Sequence, residues 1–530
     1  MGLYENSYVY EEGLHLVGKS AGIGVPGLLQ TVKTVARFAW LKHPGRFADG
    51  GLENPLLEVA QDLLEQPGYK DWMRVTDLPS GPSSLHVGTS IKQIGGHSRV
   101  IAKWAKGDDT SSHTVVLTQQ TRPIPQFLQE VFDSAKAHVV LLPASASQFE
   151  KAGMVRALAA RHSRVILHHD PNDVVPVVAF SAKQGPSVAM FNHAHFSFSL
   201  GATVSDLVVN TFEYFSSVTR KHRFPPAVSL LTLTPGLTSF RDCVIDKAAA
   251  KKSLGLSSEV PVLMSIGQEG YFAPANSYDF FRTLKRLLAS IPEMHVFIVG
   301  VRSESPLIEQ TLRQEPRLHL LGPMPDPRAF YEASDVCLES FPMPSLGALA
   351  EAVAFGEVFP VPVYGPSENI LRVSQSPVLE YRHRPATEDE YVEYVAGVIG
   401  RKSEFRDEAR QMRRGLVELD SEWPERLRLL NQKIDALSHT PRPVPVAAND
   451  GSEDSHLLAG RDSICVGQEL DRIFPAAKAI GAHWRAARHK MQPWPTAIKR
   501  VHTRTLRSAF QRITKSRAVV KRGGLKINED

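Results

Sequence analysis

The spacing of apolar residues changes along this chain, and the changes mark out its elements. Within ENPLLEVAQDLLEQ, residues Leu56, Leu57, Val59, Leu63 and Leu64 recur at helical spacing, so residues 1–70 are expected to form an accessory helical segment. From about residue 83 the pattern shortens. SSLHVGTS leads into IGGHSRVIAKWAK, and the strand-like runs HTVVLTQQ, HVVLLPA, VILHH and SVAMFNHAH alternate with the helical QFLQEVFDSAK and SQFEKAGMVRALAARH. LVVN and VSLLTLTP add strand candidates up to residue 238. Short apolar strands separated by helices point to a parallel sheet covered on both faces.

A second series follows a helix near Val244–Lys252. PVLMSIG, HVFIVG, LHLLG, DVCLES and VFPVPVYG have strand character, with YDFFRTLKRLLASIP, LIEQTLRQE, PRAFYEAS and SLGALAEAVAFG as the helices between them. Two successive α/β units of roughly 150 residues each fit two Rossmann-like domains facing across a deep cleft better than one barrel. The expected division is 1–70 accessory helices, 71–238 first α/β domain, 239–440 second domain with closing helices, 441–460 linker and 461–530 extension.

Composition alters this picture little: 42% hydrophobic and 22% charged residues are ordinary for a folded chain. Cys243, Cys337 and Cys465 lie far apart and leave one unpaired, which suits a reducing compartment. The opening MGLYENSYVYEEGLH has no basic segment followed by an apolar run, and Asn6 stands where a myristoylation signal needs Ser or Thr. A cytoplasmic location, with peripheral contact at the inner membrane face, is the expectation. Charge alters the picture more. Residues 461–530 carry sixteen Lys or Arg against five Asp or Glu, so the overall +5 reflects a basic end on a mildly acidic body.

Candidate chemistry concentrates in LHLLGPMPDPRAFYEASDVCLESFPMPSLGALAEAVAFGEVFPVP. A strand ends in Gly322, a helix leads to Ala333-Ser334-Asp335, a strand ends near Glu339, and a loop opens a helix carrying Glu351-Ala352 and Gly356. This arrangement resembles the donor region of GT-B glycosyltransferases, in particular family 4, the glycosyl transferases group 1. The resemblance covers about 115 residues well and the N-terminal domain only loosely. It implies transfer of a sugar from a nucleotide-linked donor, a UDP- or GDP-sugar, with no further cofactor. The acceptor is a hydroxyl on a saccharide, a lipid-linked molecule or a protein. It also implies that Glu351 contacts the nucleotide ribose.

The residues support the same placement by themselves. Ser345, Leu346, Gly347 and Ala348 lie where a helix begins, and free N–H groups there suit a diphosphate. Ser345 equally suits a helix cap. Gly267 and Gly300 close strands and, with Gly322 and Glu339, are expected at the donor site. Two departures stand out. Met343 occupies the position, eight residues before Glu351, where many retaining relatives have a second glutamate. Gln268-Glu269-Gly270-Tyr271 follow the strand after which relatives place Arg and Lys to neutralise the departing diphosphate.

On the first domain, Gly95 and Gly96 followed by His97, Ser98 and Arg99 form an expected loop over the acceptor, accompanied by His86. His168, His169, Asp170 and Asp173 follow the strand VIL, and His193 and His195 follow another. A strand-end imidazole can take a proton from an acceptor hydroxyl, and a carboxylate can orient it. Either group of histidines fits. The catalytic candidates are His168, His169, Asp170 and His193, with Asp173 and His195 on the acceptor side. No spacing here matches a zinc finger or metalloprotease, and no metal is expected.

Between His483 and Arg522 aromatic and basic residues interleave. This suits an anionic membrane surface, a phosphate backbone of nucleic acid, or a solubilising tail. Besides glycosyl transfer, nucleotide-sugar epimerisation and a non-catalytic binding protein of the same fold stand as alternatives.

Overall fold

The computed structural model describes residues 2–20, 24–66, 81–93, 95–237, 240–345, 347–365, 379 and 383–459. Leu346 and the basic extension 461–530 lie outside the described residues.

Uninterrupted apolar runs become strands here because helices cover both faces of each sheet. The first sheet contains β1 (Ser83–Gly88), β2 (Ser112–Leu117), β3 (His138–Leu141), β4 (Arg164–His168), β5 (Ser187–Phe191), β6 (Leu207–Asn210) and β7 (Val228–Leu230). Its order is β3-β2-β1-β4-β5-β6-β7, and every pairing is parallel. The second contains β8 (Val262–Ile266), β9 (His295–Val299), β10 (Leu318–Gly322), β11 (Val336–Leu338) and β12 (Phe359–Val361). Its order is β10-β9-β8-β11-β12, again all parallel. Strand order therefore reverses between β1 and β4 and between β8 and β11. A crevice opens beyond the carboxyl ends of strands at such a reversal.

The accessory helices belong to the first core. Helices Leu3–Ser20, Val25–Leu41, Gly50–Leu57 and Ala60–Leu64 bring Val9, Val32, Leu52 and Leu63 into one cluster with Leu85, Val87, Val165 and Val188 of the sheet. Glu53 is buried among them and accepts hydrogen bonds from Gly201 N (3.0 Å), Thr203 N (3.1 Å) and Thr203 Oγ1 (3.0 Å). Burial pushes its carboxyl up to about 7 against the pull of those bonds.

Among the described residues, helices Val174–Ala179, Glu213–His222, Glu388–Gly400 and Glu453–Ala459 run where no helix is expected from spacing. The first is an apolar β-branched run containing Pro176, which disguises it. Two allocations also differ. Helix Trp423–Asp435, grouped with residues 239–440 by sequence, crosses back to the first sheet, where Trp423, Leu427 and Ile434 pack with Trp104, Ile166 and Phe191. Arg164 secures it through Asp435 at 2.7 and 2.6 Å. The stretch expected as a linker is a strap. Arg442 N donates to Thr203 O (2.9 Å), Val444 N to Asn54 Oδ1 (3.0 Å), and Gly50 N to Pro445 O (2.9 Å), before helix Glu453–Ala459.

Candidate active site

A cavity of about 430 Å3 lies between the two strand-order reversals, with Lys92, Arg99, Asp170 and His193 on one side and Gly347 and Glu351 on the other. Two helix starts meet there, Gly96–Gly107 and Ala348–Gly356. Each has a glycine at its N-cap, Gly95 and Gly347, and neither has a side-chain cap. Their first-turn N–H groups lack intrahelical acceptors, and both positive helix ends point at the same space. His97, Ser98 and Arg99, expected in a loop, occupy the first turn of Gly96–Gly107, and Gly95 at φ 135 holds a conformation only glycine adopts readily.

On the second domain, buried Glu339 follows β11 and organises the loop ahead of the helix. One oxygen, Oε1, accepts from Ser340 N (3.0 Å), Ser345 N (2.8 Å) and Ser345 Oγ (2.7 Å). Burial pushes its carboxyl up against those three donors. Ser345 is thus committed to Glu339 instead of capping the helix, although it borders the cavity. Gly347 N donates to Ser345 O (2.7 Å), and a Cβ built on Gly347 meets nothing within 4 Å. Ala348 begins the helix proper. Glu351 Oε2 accepts from the Tyr331 hydroxyl at 3.1 Å, while Oε1 stands 3.5 Å from Arg99 Nη1 across the cleft. Burial raises the Glu351 carboxyl, and Arg99 opposes that.

Gly267, Gly300 and Gly322, expected at the donor, do not border this cavity. Their reasons are internal. A Cβ on Gly300 would come within 1.8 Å of the Gly267 carbonyl, one on Gly267 within 3.1 Å of Ser340 Oγ, and Gly322 adopts φ +65. Glu339 likewise acts through the loop it holds rather than at the cavity wall.

On the first domain, Asp170, His193, His97, Arg99 and His195 border the cavity. The Asp170 carboxylate lies 3.5 Å from Lys92 Nζ and 3.7 Å from His97 Nδ1. His97 stacks on His193 with ring centroids 3.9 Å apart. Burial lowers His97 to about 4, although Asp170 pulls the other way. His193 is also lowered, first by burial and then by the neighbouring His97 and His168. His195 meets Thr211 Oγ1 at 3.1 Å and stacks on Phe215.

Four candidates sit behind that wall. His168 is buried and reaches His193 through Nδ1 (3.1 Å) and His86 through Nε2 (3.2 Å), so both His168 and His86 lie beneath the cleft instead of in it. His169 turns away, as the next residue along an extended chain must, to meet Leu200 O at 3.1 Å. Asp173 is buried, caps helix Val174–Ala179 through Val175 N (3.1 Å) and accepts from Thr89 Oγ1 (2.7 Å). Among the described residues no three His, Cys, Asp or Glu side chains converge as a metal site would require. Lys92 and Tyr271 also border the cavity, and His113 lies behind it against His86 (3.1 Å), none of them singled out for the site by the sequence. Lys92 lies in the turn after β1, a region where its neighbours Gly95 and Gly96 are the readable signal.

No family model matches the chain, and no curated protein matches it. Solved structures do. A mutant of the O-GlcNAc transferase of Thermobaculum terrenum aligns with TM-score 0.50 at 14% identity, covering 81% of this chain and 82% of that one. Anabaena HepE, solved in complex with UDP and glucose, aligns with TM-score 0.52 at 12% identity, covering 67% of this chain and 100% of that one. The fold is GT-B. At these identities the likeness concerns architecture: two parallel-sheet domains facing across one cleft. Among the described residues no helix is long and apolar enough to cross a membrane.

Proposed function

We propose that this protein is a glycosyltransferase, related to family 4, that moves a sugar from a nucleotide sugar to an acceptor hydroxyl. One observation carries the reading: two uncapped helix starts and two cations, Lys92 and Arg99, share a cavity with the carboxylates of Asp170 and Glu351. The diphosphate lies at Gly347 and Ala348, where the open space beside Gly347 meets the free N–H groups of the first helical turn, and Glu351 takes the ribose hydroxyls. The basic pair absent after β8 is replaced from the opposite domain by Lys92 and Arg99, which offset charge on the departing diphosphate. His193, backed by His97 and Asp170, receives the acceptor proton.

The HepE structure contains UDP and glucose, which favours UDP over GDP in the donor here. The acceptor is a saccharide, a lipid-linked molecule or a protein. An acceptor presented on a cytoplasmic membrane face suits the basic extension 461–530, with nucleic acid as the competing partner of that segment. Gln268 and Glu269 in place of basic residues favour, as the second reading, a protein that binds the nucleotide sugar without turning it over.

Thermal stabilisation across a panel of nucleotide sugars, followed by transfer assays, tests both readings. Stabilisation by at least one donor is expected, with loss on replacing Ser345 and Glu351 together. No response to any donor sinks the proposal, and binding without transfer or hydrolysis favours the second reading.

A further inference from the structure

A line of imidazoles runs through the first domain beneath the cleft. His113 Nε2 lies 2.8 Å from the backbone oxygen of Asp108, and His113 Nδ1 lies 3.1 Å from His86 Nε2. His86 Nδ1 lies 3.2 Å from His168 Nε2, and His168 Nδ1 lies 3.1 Å from His193 Nε2. The line crosses β2, β1 and β4 in their order in the sheet and ends at the residue bordering the cavity.

We propose that the Asp108 carbonyl sets the proton positions of four histidines in series and leaves His193 Nδ1 as a lone pair at the cleft. A carbonyl oxygen only accepts, so His113 must carry its proton on Nε2. A neutral imidazole has one N–H and one lone pair. His113 Nδ1 is then an acceptor, which places the His86 proton on Nε2. The same step fixes Nε2–H on His168 and then on His193. The reverse polarity would set the lone pair of His113 Nε2 against the carbonyl oxygen at 2.8 Å. Neutrality, on which the counting depends, follows from the surroundings: burial is the leading cause lowering all four rings.

The start of the line is itself held. Asp108 caps the end of helix Gly96–Gly107, its N–H donating to Trp104 O at 3.1 Å. Its carboxylate accepts from Thr110 Oγ1 (2.6 Å) and from Asn431 Nδ2 (2.6 Å) on helix Trp423–Asp435. The helix that crosses back to the first domain thus helps fix the Asp108 that orients the line. A carbonyl has no use for a second proton, so the line orients and does not conduct. His113, His86 and His168 are positioning residues.

The role of the lone pair rests on the glycosyltransferase reading. The acceptor hydroxyl donates to His193 Nδ1. As the acceptor oxygen bonds to the anomeric carbon, the bond from that carbon to the diphosphate breaks and its electron pair leaves with the phosphate. The hydroxyl proton passes to His193 Nδ1 and then to water.

Nitrogen NMR of the full-length protein with 15N-labelled histidine tests the inference without any variant. At pH 7.5 all four residues are expected as Nε2–H tautomers with Nδ1 unprotonated; an Nδ1–H tautomer at any one overturns the proposal. In His113→Phe the His193 signal is expected to divide between tautomers. With the nucleotide sugar the wild type responds to, kcat should fall on the order of tenfold, as for lost outer partners of functional imidazoles. Donor KM and thermal stabilisation should stay unchanged. An unaltered His193 signal in that variant also overturns it. Failure of every nucleotide sugar to stabilise the wild type would remove the transfer reading alone, since the tautomer spectrum stands apart from it.

Discussion

On the second domain the cleft is lined by a helix start and a carboxylate held through nearby chain: Ser345 is six residues from Glu339, and Glu351 twenty from Tyr331. On the first domain it is lined by imidazoles held across strands, with His86 separated from His113 by 27 residues and from His168 by 82. The first arrangement places backbone N–H groups and open space, which suits an anion. The second places proton acceptors in fixed orientation, which suits a hydroxyl. Under the proposed function, one cleft divides donor binding from proton handling by how each wall is built.

The sharpest way to break that division is to change one residue on each wall and ask which constant moves. His193→Ala is expected to lower kcat by ~10² or more, within the range for general bases, while donor-induced stabilisation is unchanged. Glu351→Ala is expected to weaken donor binding by about 1.5–3 kcal/mol, the value of hydrogen bonds to a charged group. Gly347→Leu should abolish donor stabilisation and leave the apo melting temperature near wild type, because the added side chain enters open space. Isothermal titration and initial rates separate the effects. If His193→Ala abolished donor binding, or Glu351→Ala left it intact, the walls would not divide the work in this way.

The same contrast explains what was legible in advance. Alternating apolar runs disclosed both sheets, since a doubly covered strand advertises itself in consecutive residues. Gly347 and Glu351 were legible because the loop, helix start and carboxylate that define them fall within one short segment. Glu339 was visible, yet its service to Ser345 depends on how the loop folds back. His113 was not legible as the partner of His86, because nothing near it in the chain indicates that β2 will place it beside β1. His86 and His168 attracted notice for the right strands and the wrong layer: strand ends approach a cleft, but burial decides which ring reaches it. Helix Val174–Ala179 escaped because its composition favours a strand.

Acidity should separate the walls again, at smaller amplitude. His168 and His195 are lowered to about 3 and His97 to about 4, so the folded protein binds fewer protons there than the unfolded chain, whose histidines titrate near 6.5. Stability from keeping these rings neutral is complete above about 6.5 and is lost as pH falls toward 3. Glu339 and Glu351 are raised above 4.5, so the second domain gains stability as pH falls toward that value. Glu53, raised to about 7, offsets part of the loss in the first domain. Hydrogen exchange between pH 7 and 5 is expected to show β1, β4 and β5 losing protection before β8, β9 and β11. Equal loss in both sheets would remove the electrostatic distinction.

Arg99 joins the walls, and its substitution should have the smallest effect on the fold. Its Nη1 stands 3.5 Å from Glu351, with side chains 34% and 25% exposed, and its Nη2 stands 3.5 Å from Pro325 O. An ion pair that long and that wet contributes about 0–1 kcal/mol. Arg99→Met should therefore shift the melting temperature by no more than about 2–4 °C. A residue that merely ties two domains would affect little else. One that also meets the departing diphosphate would lower kcat on the order of tenfold, the loss of roughly 1.4 kcal/mol at the transition state. Steady-state kinetics beside a melting curve distinguish the two, because removing the tie also frees Glu351 for ribose and should leave donor KM unchanged or lower. A melting shift with kcat intact would return Arg99 to the role of a tie and leave Lys92 as the cation facing the leaving group.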